Sequence, residues 1–302
     1  MSYLKSSFNV CAFQLPKEFQ LSPSEVHDRL LTNKFVDLAP SQETGMGWVA
    51  PDELFKVDFS LEDIVAGTGL VGGFRIDTKV VPKPLIKKLY REKLKDHQQE
   101  FGTKLNKTDK QILKEECKQQ LLLKALPNPK MVNWIWDTEK NRVYLDTKST
   151  KVIDAFMGMF TATFETSLEA ITFDIIPDEI TNFLDWLWQN IEKLETTWLD
   201  KDISLESETD TFKFNGPEIG KHIEEIESFK KTKNIKTISV GTALNKNDFG
   251  ITFNAKNMII GVANKNKIKH ESIETAVLDN CDNITVILDT ISNWVKLYQQ
   301  KE

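Results

Sequence analysis

Cysteine is scarce in this chain, with three in 302 residues. Cys11, Cys117 and Cys281 are odd in number, far apart and without histidine neighbours. That argues against a disulfide framework and a zinc site, and it suits a reducing compartment. Histidine is nearly as rare. His27, His97, His222 and His270 stand apart and read as surface residues rather than catalysts. No apolar run approaches the roughly 18 residues that a membrane span needs. Residues 1–9 lack the basic-then-apolar order of a secretion signal, so a cytoplasmic protein is expected. Catalytic motifs are missing as well: there is no serine elbow, H-E-x-x-H or Cys/His cluster. Gly67-Thr68-Gly69-Leu70-Val71-Gly72 spells G-x-G-x-x-G, but it runs into a strand pattern. A dinucleotide fingerprint follows a strand and opens a helix. Neither an internal repeat nor a low-complexity tract is found.

What the chain does have is charge, unevenly spread. Residues 79–131 hold fourteen basic side chains against six acidic ones, a net +8, while the whole chain is −6. The rest must therefore carry −14. A pI near 5.5 argues against indiscriminate coating of nucleic acid but is compatible with a local basic channel. Such segregation points to a polyanion met at one place, although a solvated face with Glu/Lys pairs would look similar. Pro84 sits where a helix can start, and Leu85, Ile86, Leu89, Tyr90 and Leu94 recur at helical spacing. A capping box at Thr108-Asp109-Lys110-Gln111 opens a second helix through Ile112, Leu113, Cys117 and Leu121, which Pro127 and Pro129 stop. The spacing thus predicts a projecting, lysine-rich helical hairpin.

At 40% hydrophobic the chain can bury a sizeable core and is expected to divide into two or three lobes. Residues 8–15 alternate as a strand, and Ser22-Pro23-Ser24-Glu25 opens a helix. Residues 70–81 form a strand in which Gly72-Gly73 permits a bulge or a close backbone approach. Residues 131–136 and 142–146 pair antiparallel, and Ser149-Thr150 caps a helix. Beyond this, 164–176 reads as strand, Asp178-Glu179 opens a helix and 195–215 is an irregular linker. Pro217 starts a helix ending at Lys230-Lys231-Thr232-Lys233. A three-stranded meander and a final helix from about Ile284 close the chain.

Two constellations deserve a chemical reading. Asp52, Asp77 and Lys79, with Asp146 and Lys148 ending another strand, are the residue types of a metal-dependent nuclease. There, acids hold the ion and lysine orients water. Acid-x-Lys is common in a chain that is 28% charged, and no third acid completes the set, so no catalytic residue, metal ligand or cofactor is assigned. Trp134 and Trp136 on a strand, and Trp186 and Trp188 on a helix, could stack on bases, but core packing is the simpler use.

An ordered series of residues resembles the bacterial recombination-associated RdgC family. It runs through Met46-Gly47-Trp48-Val49 with Pro51, Pro82 and Pro84 with Ile86, and Lys104 to Lys110. It continues through Leu113 to Glu116, Leu122 to Pro127, Trp136-Asp137-Thr138 with Val143 to Asp146, and Ser149 with Lys151. Glu218 to Ile223 resembles a later family helix. The resemblance implies a head-to-head homodimer closed into a ring around double-stranded DNA. It would bind without sequence preference, lie on the nucleoid and limit access of the RecA recombinase. One departure concerns ring closure. Where the family has an aromatic in a Leu-Pro-x-Ala-Phe pattern, this chain has Lys124-Ala125-Leu126-Pro127.

The expected fold is accordingly α+β, with mixed lobes, the hairpin and a ring-shaped dimer. Residues 1–78 with 131–165 form one lobe, 79–130 the inserted hairpin, and 166–302 the other lobe. DNA contacts are expected from Lys83, Lys87, Lys88, Lys213, Lys221, Lys230, Lys231 and Lys233. Leu121, Leu122 and Leu126 are expected to seal a dimer interface across the hairpin tips. A metal-dependent nuclease and an acidic-protein docking module stand as alternatives.

Overall fold

The computed structural model describes residues 7–102, 105–171, 173, 175–216, 219–244, 247–255, 257–266, 270 and 272–300, with backbone alone for 7, 177 and 257–260. Lys104, Pro217 and Glu218 lie outside the described residues. The chain is mixed α+β. Strand β1 (Ser7–Gln14) leads to helix α1 (Pro23–Thr32), which opens with a full capping box between Ser22 and Glu25. Then come β2 (Thr44–Val49), the short α2 (Leu61–Ile64), β3 (Val65–Ala66) and β4 (Gly69–Lys79). Helices α3 (Lys83–Phe101) and α4 (Lys107–Leu122) follow, then β5 (Pro127–Asp137), β6 (Arg142–Leu145), α5 (Thr150–Phe164) and β7 (Glu169–Ala170). The remainder is α6 (Ile180–Asn190), β8 (Thr197–Glu206), β9 (Thr211–Asn215), α7 (Ile223–Lys230), β10 (Asn234–Leu244), β11 (Asn247–Asn254), β12 (Asn257–Asn264) and α8 (Ile273–Gln299).

Among the described residues the strands join one sheet in the order β2-β4-β5-β6-β1-β12-β11-β10-β8-β9, with β3 on β4 and β7 on β1. The join is made inside β1. Ser7 to Val10 pair with β12, whereas Cys11 to Gln14 pair with β6. Because side chains alternate along a strand, β1 also serves two cores. Val10 and Ala12 belong to one buried cluster, Phe13 and Leu15 to the other. The same division runs through β4, β5 and β6: Val71, Ile135 and Tyr144 face one cluster, while Leu70, Phe74, Trp134, Trp136, Val143 and Leu145 face the other. Burial on both faces explains why these strands read as nearly continuous apolar runs.

The second of these clusters is aromatic. The Trp48 ring lies 5.5 Å from Phe74, 5.7 Å from Trp134 and 5.7 Å from Phe156. Its indole N–H donates to Thr163 Oγ1 at 2.8 Å, satisfying the buried polar atom. A Cβ on Gly72 would fall 2.4 Å from the Trp134 ring, so the close approach expected of this glycine is real. The first cluster is organised by α8. Its early turns lie over β3 and β5, and its last turns meet α6, with Tyr298 5.8 Å from Phe183.

Several elements differ from the sequence expectation. Among the described residues of 164–176, Phe164 ends α5 and the strand is only the two residues Glu169–Ala170. The supposed linker at 195–215 is the two strands β8 and β9. In β8 the buried apolar residues are Ile203 and Leu205, with Leu199 packed against the same cluster, and the charged run Asp200-Lys201-Asp202 interrupts the apolar pattern. The last helix starts at Ile273, capped by Ser272 and Thr275, not near Ile284. The α4 cap is Asn106, whose side chain accepts from the Asp109 N–H at 2.9 Å, two residues before the expected capping box. α4 ends at Leu122, well before Pro127 and Pro129, and both prolines lie in β5. They are two apart and so lack their N–H on the same side of the strand. β6 pairs only with Trp134 to Asp137, so that side has no ladder to lose.

Burial holds Cys11, Cys281 and Tyr144 protonated, each pushed up to about 12. Below the ordinary thiol value of 9.0, folded and unfolded chains are equally protonated at the two cysteines, and stability is unaffected. Between pH 9.0 and about 12 the unfolded chain releases protons that the folded chain retains, so stability falls as pH rises. The thermal midpoint should decline over that interval, and Cys11 and Cys281 should resist maleimide until the chain unfolds. A flat alkaline profile with prompt labelling would contradict this account.

Candidate nucleic-acid interface

Helices α3 and α4 pack on each other, and neither gives a residue to the two buried clusters. Pro82 and Pro84 start α3 without wasting N–H groups, and Gly102 ends it in the left-handed region at φ 64°. The pair is tethered beside the start of β2. Lys79 Nζ donates to the carbonyls of Ala39 at 3.2 Å and Pro40 at 2.9 Å, and Lys118 pairs with Glu43.

Lys83, Lys87 and Lys88 are exposed on α3, as expected. Two of them share a groove. Lys83, Ile86, Lys87 and Tyr90 of α3 and Lys107, Lys110, Gln111 and Lys114 of α4 line one open depression, five lysines without a carboxylate. Lys107, Lys110 and Lys114 were not nominated from the sequence. The signal was present, because both sets fall at i, i+3, i+4, i+7, the spacing of a single helix face.

The later lysines divide into two kinds. Lys213 on β9, Lys221 in a 3-10 turn (Ile219–His222) and Lys231 just past α7 are exposed. Lys230 and Lys233 are not. Lys230 lies 3.4 Å from Asp185 and 5.5 Å from the Trp188 ring centre, its side chain 9% exposed. Lys233 donates to Ser207 Oγ at 3.1 Å and sits 4.8 Å over the Phe212 ring. Both hold α7 and its exit against neighbouring elements, an arrangement that linear lysine density does not distinguish from a free cluster.

The expected interface leucines also separate. Leu122 is fully buried within the chain and Leu121 half-buried, whereas Leu126 is 87% exposed. Nor is Leu126 at the end of the pair where α3 stops at Phe101 and α4 starts at Lys107. It precedes Pro127, the residue paired with Lys79, and so stands beside the sheet, where the chain enters β5.

A family model described as "Putative exonuclease, RdgC" matches residues 8–231. The chain belongs to the RdgC family. The match takes in β1 to α7 and leaves the β10–β12 meander and α8 outside it. Among the relatives is a Recombination-associated protein RdgC of Proteus mirabilis, 30% identical over 149 residues, 47% of this chain and 46% of that one. Proteins of the same name from Mannheimia succiniciproducens and Actinobacillus pleuropneumoniae serotype 5b are each 24% identical, over 60% and 64% of this chain. Those matches span 59% and 65% of the relatives' own lengths.

The acids considered for a nuclease have structural occupations within this RdgC-family fold. Both Asp77 oxygens accept from Arg75 at 2.7 Å, and the Arg75 guanidinium lies 3.9 Å over the Phe35 ring. Asp52 occupies a left-handed turn at φ 59° and accepts from Asn133 Nδ2 at 2.6 Å. Lys79 is held by the loop carbonyls described above. Among the described residues no group of three His, Cys, Asp or Glu side chains could hold a metal ion. Asp77→Asn should therefore unfold more easily by about 3–5 kcal/mol, the cost of stranding a buried partner charge, as read by urea denaturation. A variant of unchanged stability that loses metal-dependent DNA cleavage would return Asp77 to catalysis.

Proposed function

We propose that this chain is a sequence-independent double-stranded DNA-binding protein that acts as a ring-shaped homodimer. In this reading it modulates recombination by limiting access of the RecA recombinase to DNA. The observation that carries the reading is the +8 segment at 79–131 on a chain of net −6. An acidic exterior repels duplex DNA, whereas a basic arm turned inward holds it through phosphate contacts and counterion release. The name shared by the relatives, recombination-associated protein, agrees with that use. The α3–α4 pair is then a lysine-rich finger inserted between lobes of residues 1–78 with 131–165 and residues 166–302.

The lysines assigned to phosphate are the exposed ones: Lys83, Lys87, Lys88, Lys213, Lys221 and Lys231. Lys230 and Lys233 drop out of the direct set because both are engaged with carboxylates and rings. Leu126 is the leucine assigned to the subunit contact. Like Val80 at 69% and Leu123 at 56% exposure, it is a large apolar side chain left in solvent, of the kind that partners cover.

Binding to linear and to closed circular duplex over a salt series, with magnesium present, tests the whole reading. Salt-resistant retention on circles, escape from linear ends and intact DNA are expected. Equal escape from both topologies would overturn the ring, and degraded DNA would favour a nuclease. Lys213→Glu with Lys231→Glu should weaken all sequences alike and flatten the log–log salt slope by about one to two units. An unchanged slope would remove those lysines from the path. Leu126→Asp should shift the light-scattering mass from dimer toward monomer; unaltered mass and DNA retention would exclude it from the contact.

A further inference from the structure

The groove between α3 and α4 has more than charge. Its rim is lysine, but Ile86 and Tyr90 are half-buried in its wall, and the lysine methylene stems extend that apolar surface. Neither helix commits a residue to the buried clusters, so these side chains are not serving as core. None of the five rim lysines makes an ion pair among the described residues, in contrast to Lys118, Lys230 and Lys233. Phosphate contacts position nucleic acid through cations, hydroxyls and N–H groups; the Ile86 side chain and the apolar ring face of Tyr90 add nothing to them. A peptide that alternates carboxylates with an apolar anchor matches both parts. Its anchor would displace water from Ile86 and Tyr90, and its carboxylates would meet lysines from either helix.

We propose that this groove is a docking site for an acidic, apolar-anchored peptide segment of a partner protein. The site is separate from the DNA reading in its chemistry, although Lys83 and Lys87 border both. Lysine supplies reach without fixed geometry, so the rim selects charge, and the wall selects the anchor.

The test compares two fluorescein-labelled hexapeptides by anisotropy on the full chain. One has four carboxylates around a Leu-Phe pair; the other has Ser-Ser in place of Leu-Phe at the same charge. The anchored peptide should bind at least tenfold tighter. Ile86→Ser with Tyr90→Ser should abolish that advantage while duplex DNA affinity changes less than twofold. Lys110→Gln with Lys114→Gln, on the exposed side of α4, should weaken both peptides at least fivefold. This second variant, with the wild-type comparison of the two peptides, decides the matter should the first fail to fold. Equal binding of the two peptides, or binding of neither, overturns the proposal. So does loss of duplex DNA in parallel with peptide in the Ile86 and Tyr90 variant, which would assign the groove to the DNA path. Failure of the wild-type chain to bind DNA while it discriminates between the peptides would sink the DNA reading alone.

Discussion

Everything in this fold hangs on the double duty of β1. Its first four residues pair with β12 and its last four with β6, so a single strand carries the hydrogen-bond ladder from one half of the sheet to the other. Its side-chain alternation does the same for packing, sending Val10 and Ala12 one way and Phe13 and Leu15 the other. A one-residue slip would exchange those sets and misregister both ladders at once. α8 reinforces the join. At 27 residues it is about 40 Å long by the usual helical rise, enough to lie over β3 and β5 at one end and reach α6 at the other. Lys140 adds a polar tie, donating to Thr285 Oγ1 at 2.9 Å.

With both cores supplied by the sheet, α1, α5, α6 and α8, the α3–α4 pair gives no residue to either cluster, and its own buried side chains are Cys117 and Leu122 of α4. That is what makes its composition informative. A helix that must cover a core spends one face on it, while α3 has no fully buried residue at all. Its lysines are therefore available for ligand, and its apolar residues are available as well. Elsewhere the same residue type performs a different task. Lys230 and Lys233 lie over rings and beside carboxylates, where the charge is neutralised and the stem is packed. Lysine count predicts an interface only where tertiary structure leaves the ammonium groups unpaired.

Much of this was legible in the sequence. Periodicity placed α1, α3, α5 and α6, glycine marked the Trp134 approach at Gly72, and charge segregation marked the basic segment. These are local signals, set by propensity, capping and alternation within a dozen residues. Reading failed where the deciding contact is remote. β8 and β9 look like a linker because half of each strand faces water, and they exist because β10 offers an edge to pair with. The first turns of α8 were missed because the residues that bury them, around Gly67 and Gly69, are two hundred positions away.

The sequence alone determined the α+β character, the family and the location of the positive charge, since each follows from residue order and composition. Only the tertiary structure decided which lysines are exposed, that Leu122 is internal while Leu126 is exposed, and that Asp77 serves Arg75. It also brought the i, i+3, i+4, i+7 faces of α3 and α4 to one groove. Pairing and burial depend on what arrives from elsewhere in the chain, and no local pattern encodes the neighbour.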